Sequence, residues 1–210
     1  VHLLSMHSAA GRLYEVDMRL RPSGKGGMLI TNIEAFRDYQ QREAWTWEHQ
    51  ALLHARAVAG ARPLCARFEA LRLEILQQCV RRDALQTDVR QMRERMRAEL
   101  SQPDLTRFDL KKDAGGLADI EFLAQYWALR WADRYPPVAL FSDTIRQLES
   151  VASADLVPQS TIDVLVHAYR RYRERIHHRS LEGQDAVVAA AELGAEREAV
   201  SAVWNATMQV

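Results

Sequence analysis

The spacing of apolar and polar positions changes once along this chain, close to residue 33. Before that point Val16, Met18 and Leu20 alternate with Glu15, Asp17, Arg19 and Arg21. This is the two-residue period of a strand with one apolar and one charged face. It predicts a strand over 12–21, stopped at Pro22-Ser23-Gly24. A turn through Ser23-Gly24-Lys25-Gly26-Gly27 would lead to a second short strand, Met28-Leu29-Ile30-Thr31, and the two would form a hairpin. Residues 1–8 read as the end of a helix. Asn32 is placed to cap a helix, and from there the spacing is helical almost to the end of the chain. It predicts helices over 34–58, closed by Gly60, and over 63–80, with Pro63 in the first turn. A third covers 83–100, with Leu85, Val89, Met92 and Met96 on one stripe. Further helices are predicted over 117–133, 142–153, 158–181 and 195–208, with a short strand at 108–110. The fold class expected is mainly α: a helical bundle preceded by a β-hairpin.

Composition narrows the function classes. Lys plus Arg and Asp plus Glu both number 28 in 210 residues, so nothing favours binding to a nucleic-acid polymer. No apolar run approaches the roughly 20 residues of a membrane span, and no secretory leader is visible. Cys65 and Cys79 have no metal-site spacing and read as thiols of a reducing compartment. The chain opens without Met, reads as starting inside an element, and is expected to be a piece of a longer protein.

Candidate chemistry starts at Asp17. With Arg19 and Arg21 on the same strand face it offers an oxygen ligand for a hard cation and forked donors for phosphate oxygens. The same face also reads as a salt-bridged sheet edge. Two-metal phosphoryl transfer needs two or three carboxylates, and the chain contains no Gly-Ser followed by Asp-x-Asp. The turn Gly24-Lys25-Gly26-Gly27 lacks the spacing of a phosphate loop and reads as a hairpin turn. In Trp45-Thr46-Trp47-Glu48-His49-Gln50, aromatic, His and Gln side chains are suited to stacking on and hydrogen-bonding a base, or to a core stripe with satisfied polar tips. Both readings stand. Gly115-Gly116 opens a helix bearing Asp119 and Glu121. Acidic residues there suit the helix dipole, while tandem glycines permit close approach of an anion. Asp119 and Glu121 point in different directions. His177-His178, near the end of a helix, has no ligand role.

Three segments in order carry a resemblance: Gly11-Arg12-Leu13-Tyr14-Glu15-Val16-Asp17-Met18-Arg19-Leu20-Arg21-Pro22-Ser23-Gly24, then Glu43-Ala44-Trp45-Thr46-Trp47-Glu48-His49-Gln50-Ala51-Leu52, then Gly115-Gly116-Leu117-Ala118-Asp119-Ile120-Glu121-Phe122. Together they resemble the glutamine synthetase adenylyltransferase family, and the first two resemble its carboxy-terminal, adenylylating half. The resemblance implies a cytoplasmic bacterial enzyme that transfers AMP from ATP, with Mg2+, to a tyrosine of glutamine synthetase, under regulation by the PII signal protein and glutamine. No nucleic acid or membrane partner is implied. It implies that residues 1–33 are the incomplete end of a polymerase-β-like nucleotidyltransferase core and 34–210 a helical bundle. Asp17 matches the family's third metal-binding carboxylate. Arg19, Arg21, Trp47, Gly115 and Gly116 are the nucleotide-binding candidates. Without the Asp-x-Asp segment, the chain alone is expected to be inactive. The alternative is a non-catalytic module that recognises glutamine synthetase, PII or glutamine.

Overall fold

A computed structural model describes residues 6–9, 11–12, 16–17, 21–22, 24–100, 104 and 106–209. Among these, eight α-helices are joined by short connections. They are α1 (Ile33–Arg42), α2 (Thr46–Leu53), α3 (Arg62–Gln78), α4 (Leu85–Leu100), α5 (Leu117–Trp131), α6 (Thr144–Ser153), α7 (Gln159–Leu181) and α8 (Gly194–Met208). Two antiparallel strand pairs accompany them. β1 (His7–Ser8) pairs with β2 (Gly11–Arg12), and β3 (Arg107–Asp109) pairs with β4 (Val187–Ala189). The mainly helical bundle expected from the spacing is the fold that forms.

Helix α5 is its axis. It packs against α2, α4, α6, α7 and α8. Its sequence, Leu-Ala-Asp-Ile-Glu-Phe-Leu-Ala-Gln-Tyr-Trp-Ala-Leu, is apolar on nearly every side, as a helix surrounded by others requires. Ile120, Leu123, Ala124, Ala128 and Leu129 are wholly excluded from solvent. β3 and β4 close one end. Phe108 of β3 meets Tyr172 of α7 edge-on at 5.8 Å, and Arg197 of α8 lies over the Phe108 ring at 4.6 Å.

The amino-terminal expectations change most. Val16, Asp17, Arg21 and Pro22 lie outside any strand, and the hairpin present joins residues 7–8 to 11–12. The remainder of the charged strand, 13–15 and 18–20, lies outside the described residues. Met28, Leu29 and Ile30 form no strand and are 78%, 64% and 84% exposed. Their backbone has no strand partner among the described residues.

The helix expected over 34–58 is two helices. Glu43 and Ala44 both donate to the Tyr39 carbonyl, which ends α1. Trp45 is extended, and its N–H donates to Glu48 Oε2 at 2.9 Å. The Glu48 carboxylate thus takes a backbone donor that a continuous helix would have used, and starts α2 three residues ahead of itself. At the other end of α2, the buried Arg72 guanidinium donates to the carbonyls of Leu52 (3.1 Å) and Leu53 (2.9 Å) and to that of Ala139 (3.1 Å). Those carbonyls need no further helical turn, and the chain leaves the helix at His54.

Candidate functional site

The sequence singled out two carboxylates on α5, and the bundle separates them. Asp119 is fully buried. Its Oδ1 accepts from Arg93 Nε at 2.7 Å, its Oδ2 from Arg97 Nη2 at 2.6 Å and from the Gly115 N–H at 2.7 Å. Arg93, itself buried, also donates to the Lys112 carbonyl at 2.7 Å. Burial lowers the Arg93 pKa, and the Asp119 charge works against that shift. Every oxygen of Asp119 is engaged, so this cluster holds α4 to the start of α5 and offers nothing to a ligand.

Gly115 and Gly116 belong to the same construction. Gly115 has φ +78°, and a Cβ there would lie 2.4 Å from the Arg197 carbonyl oxygen and 2.6 Å from Ser201 Oγ. A Cβ at Gly116 would lie 2.8 Å from the Leu110 carbonyl oxygen. The Gly115 carbonyl accepts from the Tyr172 hydroxyl at 2.9 Å, and burial pushes that hydroxyl's pKa up. The close approach allowed by the double glycine is made by α8 and by the Leu110 backbone. The Gly115 N–H that would greet an anion at the helix start is already donated to Asp119.

Two residues on, Glu121 points elsewhere, into a cavity of about 510 Å³ between α2, α5, α6 and α7. The walls are His54, Glu121, Ser142, Asp143, Thr144, Ile145, Tyr169, Arg170 and Arg173. Burial raises the Glu121 pKa above its ordinary value, opposed by the His54 ring in its protonated form and by the charges of Arg173 and Arg93. Among the described residues Glu121 makes no hydrogen bond and no ion pair within 4 Å. The His54 ring is committed: Nδ1 is 2.8 Å from the Ser142 carbonyl and Nε2 is 2.9 Å from Gln125 Nε2. Gln125 Oε1 in turn accepts from Gln50 Nε2 at 2.9 Å. That orients the Gln125 amide to donate to Nε2, so the neutral ring donates from Nδ1. The wall is thereby fixed, and His54 has neither a proton to give nor a lone pair for a metal.

The other candidates are dispersed. Asp17 is exposed. Arg21 is half-buried and its Nε donates to the Gly27 carbonyl at 3.1 Å. Arg19 lies outside the described residues. Trp47 is 36% exposed on α2, while its neighbours His49 and Gln50 are buried. His49 Nε2 contacts the Gln40 carbonyl at 3.1 Å, and burial lowers its pKa. The polar residues of that segment are thus satisfied inside the fold. No group of three His, Cys, Asp or Glu among the described residues is arranged to hold a metal ion, so the described residues do not fit a magnesium site around Asp17.

Sequence reasoning did not assemble the cavity. A signal was present as two polar pairs at i, i+4 inside apolar helices, Gln50 with His54 and Glu121 with Gln125. The contributions of Ser142, Arg170 and Arg173 carry no such signal, because they come from distant segments.

The bundle's axial helix begins at a buried double glycine. The GlnD PII-uridylyltransferase family model matches residues 83–199, which span α4 to the beginning of α8. The glutamate-ammonia ligase adenylyltransferase family model matches residues 1–71. Across 209 residues the chain is 46% identical to the bifunctional glutamine synthetase adenylyltransferase/adenylyl-removing enzyme of Thioalkalivibrio sulfidiphilus. That alignment takes in 100% of this chain and 22% of the relative's length. The chain belongs to the glutamine synthetase adenylyltransferase family, with a bundle of the PII-uridylyltransferase type.

Proposed function

We propose that the chain is part of an enzyme that transfers AMP from ATP to a tyrosine of glutamine synthetase. The observation that carries this is the 46% identity maintained over the whole chain to a protein named for that activity. The adenylyltransferase family match over residues 1–71, which contains Asp17, supports it too. On this reading residues 1–33 belong to the nucleotidyltransferase core and 34–210 to the bundle that supports it, in the adenylylating half of a cytoplasmic enzyme. Glutamine synthetase is the protein substrate, and PII and glutamine act as regulators.

Asp17 is the catalytic candidate. It is exposed and outside any helix or strand, so a neighbouring segment of a longer protein can reach it. The carboxylates that would complete a magnesium site with it lie outside this chain, so the chain alone is expected to transfer no AMP. Arg19 and Arg21 remain candidates for the phosphates and Trp47 for the base. Gly115 and Gly116 are assigned to setting α5, because their backbone groups are already engaged. The test is Asp17→Asn in the longer enzyme, assayed for AMP incorporation into glutamine synthetase. A loss of at least about a hundredfold is expected for a carboxylate at the reacting centre. Survival within a few-fold would remove Asp17 from the site.

A further inference from the structure

Where α4 begins and α5 and α8 end, a second cavity of about 270 Å³ is lined by Gln86, Tyr126, Trp127, Arg130, Trp131 and Thr207. It lies roughly 13 Å further along α5 than Glu121. Half of its wall is aromatic: Tyr126 and Trp127 are buried and Trp131 is half-buried. Arg130 is the one charged group in the wall, and no carboxylate lines the cavity. Its guanidinium is held in place. Nη1 donates to the Tyr126 hydroxyl, and the group lies 5.7 Å over the Tyr126 ring and 5.6 Å over the Trp131 ring. Among the described residues Arg130 makes no ion pair within 4 Å; Asp133, one turn on, lies 3.3 Å from Arg82 Nε instead. Contact with two rings fixes the plane of the guanidinium and removes part of its hydration, which leaves its remaining N–H groups to a planar two-oxygen acceptor. Two helix C-termini meet here, and their carbonyls would oppose an anion. Those carbonyls are already answered. That of Trp131 accepts the Arg134 and Tyr135 N–H groups, that of Thr207 accepts Gln86 Nε2 at 2.8 Å, and that of Met208 accepts Arg90 Nη1 at 3.4 Å. The cavity falls just below the usual span of small-molecule sites, about 300–1,000 Å³, so it takes a single ring rather than a nucleotide.

We propose that this cavity binds a small monocyclic aromatic carboxylate, its ring against Trp127 and Trp131 and its carboxylate on Arg130. Flat aromatic walls favour an aromatic ring over an aliphatic chain, through offset or edge-on contact. The open fork of Arg130 favours a carboxylate over a neutral amide. Gln86 ties the start of α4 to the end of α8 beside the ligand, so occupancy acts on the ends of three helices at once. The inference does not depend on AMP transfer, since the cavity contains no group of the proposed reaction.

The experiment is calorimetric titration of the chain at neutral pH with benzoate, phenylacetate and cinnamate at millimolar concentration. At least one is expected to bind with a dissociation constant of about 1 mM or tighter. Its amide keeps the ring and lacks the charge; acetate keeps the charge and lacks the ring. Each should bind at least about tenfold more weakly, since each leaves one half of the cavity unmatched. The indole N–H resonances of Trp127 and Trp131 should move as the acid is added. Arg130→Gln is expected to weaken binding by about tenfold or more. Arg146→Gln, which removes an exposed guanidinium over the Phe141 ring outside the cavity, should leave it within about twofold. Circular dichroism establishes that the variants are folded, and the altered ligands test the same claim on the unvaried chain. Absence of binding by all three acids, equal binding of the amide or of acetate, unmoved Trp127 and Trp131 resonances, or unchanged affinity in a folded Arg130→Gln chain would each overturn the proposal.

Discussion

Asp119 and Glu121 are two residues apart on one helix, carry the same charge and live under opposite rules. Asp119 is surrounded by donors: two guanidinium groups and a backbone N–H within 2.7 Å. Among the described residues, Glu121 has lost water without gaining a donor. A helix turns about 100° per residue, so two positions place these groups on nearly opposite faces. One face meets α4, which supplies Arg93 and Arg97. The other meets a gap bordered by α6 and α7. Burial of a carboxylate by itself says little; the number of donors brought to it decides whether it braces the fold or stands ready for a ligand.

The largest effect should come from breaking the satisfied side. Asp119→Ala would leave Arg93, 1% exposed at its side chain, as an uncompensated buried cation. Removing one partner of a buried pair costs about 3–5 kcal/mol, a large share of the stability of a domain of this size. Urea denaturation of the variant should show that loss, or the chain should fail to fold. A loss under about 1 kcal/mol would mean that Arg93 finds another acceptor, and the cluster would not brace α4 against α5.

A second test changes no charge. Gly115→Ala places a Cβ against the Arg197 carbonyl oxygen at a positive φ. Strain and displacement of α8 together should cost about 2–3 kcal/mol. Gly183→Ala is the control, because Gly183 also has φ +68° but nothing lies within 4 Å of the added carbon. Only the left-handed backbone term remains there, about 1 kcal/mol. Equal losses in the two variants would show that contact with α8 contributes nothing and that backbone conformation alone matters at Gly115.

Much of the bundle was legible in the sequence. Helices α3 to α8 lie within a few residues of their predicted limits, because their apolar spacing and their proline and capping residues act locally. So does the short strand at Arg107–Asp109. The break at Glu43–Trp45 was not legible, since it depends on where the Glu48 carboxylate chooses to accept. The strand expected at Met28–Thr31 is absent although its local pattern was sound, and among the described residues no strand lies beside it. At the candidate site, opposite directions for Asp119 and Glu121 followed from helix geometry. Which of them would be satisfied did not. That depended on Arg93 and Arg97 in one case and on Arg170 and Arg173 in the other, and nothing in the spacing distinguishes these two pairs of arginines. The double glycine was correctly read as a place of close approach, but the body that approaches is α8.

The smallest effect, and the one most specific to the unsatisfied side, is the pH dependence of Glu121→Gln. Burial raises the folded pKa of Glu121 above its ordinary value of 4.5, so the folded state holds the proton longer than the unfolded state does. Below about pH 4 both states are protonated, and the group contributes no pH-dependent penalty. As pH rises through 4.5 toward the raised value, the unfolded chain releases its proton first and the wild type loses stability relative to the glutamine variant. At pH 7 Glu121→Gln should therefore melt at an equal or higher temperature than the wild type, by less than about 1 kcal/mol. That advantage should vanish when both are measured near about pH 4. Asp119→Asn should behave in the opposite sense at neutral pH, destabilising because Arg93 and Arg97 lose their counter-charge. A glutamine variant that is less stable at neutral pH would show that Glu121 already has a cationic partner in the folded chain, and the contrast between the two carboxylates would collapse.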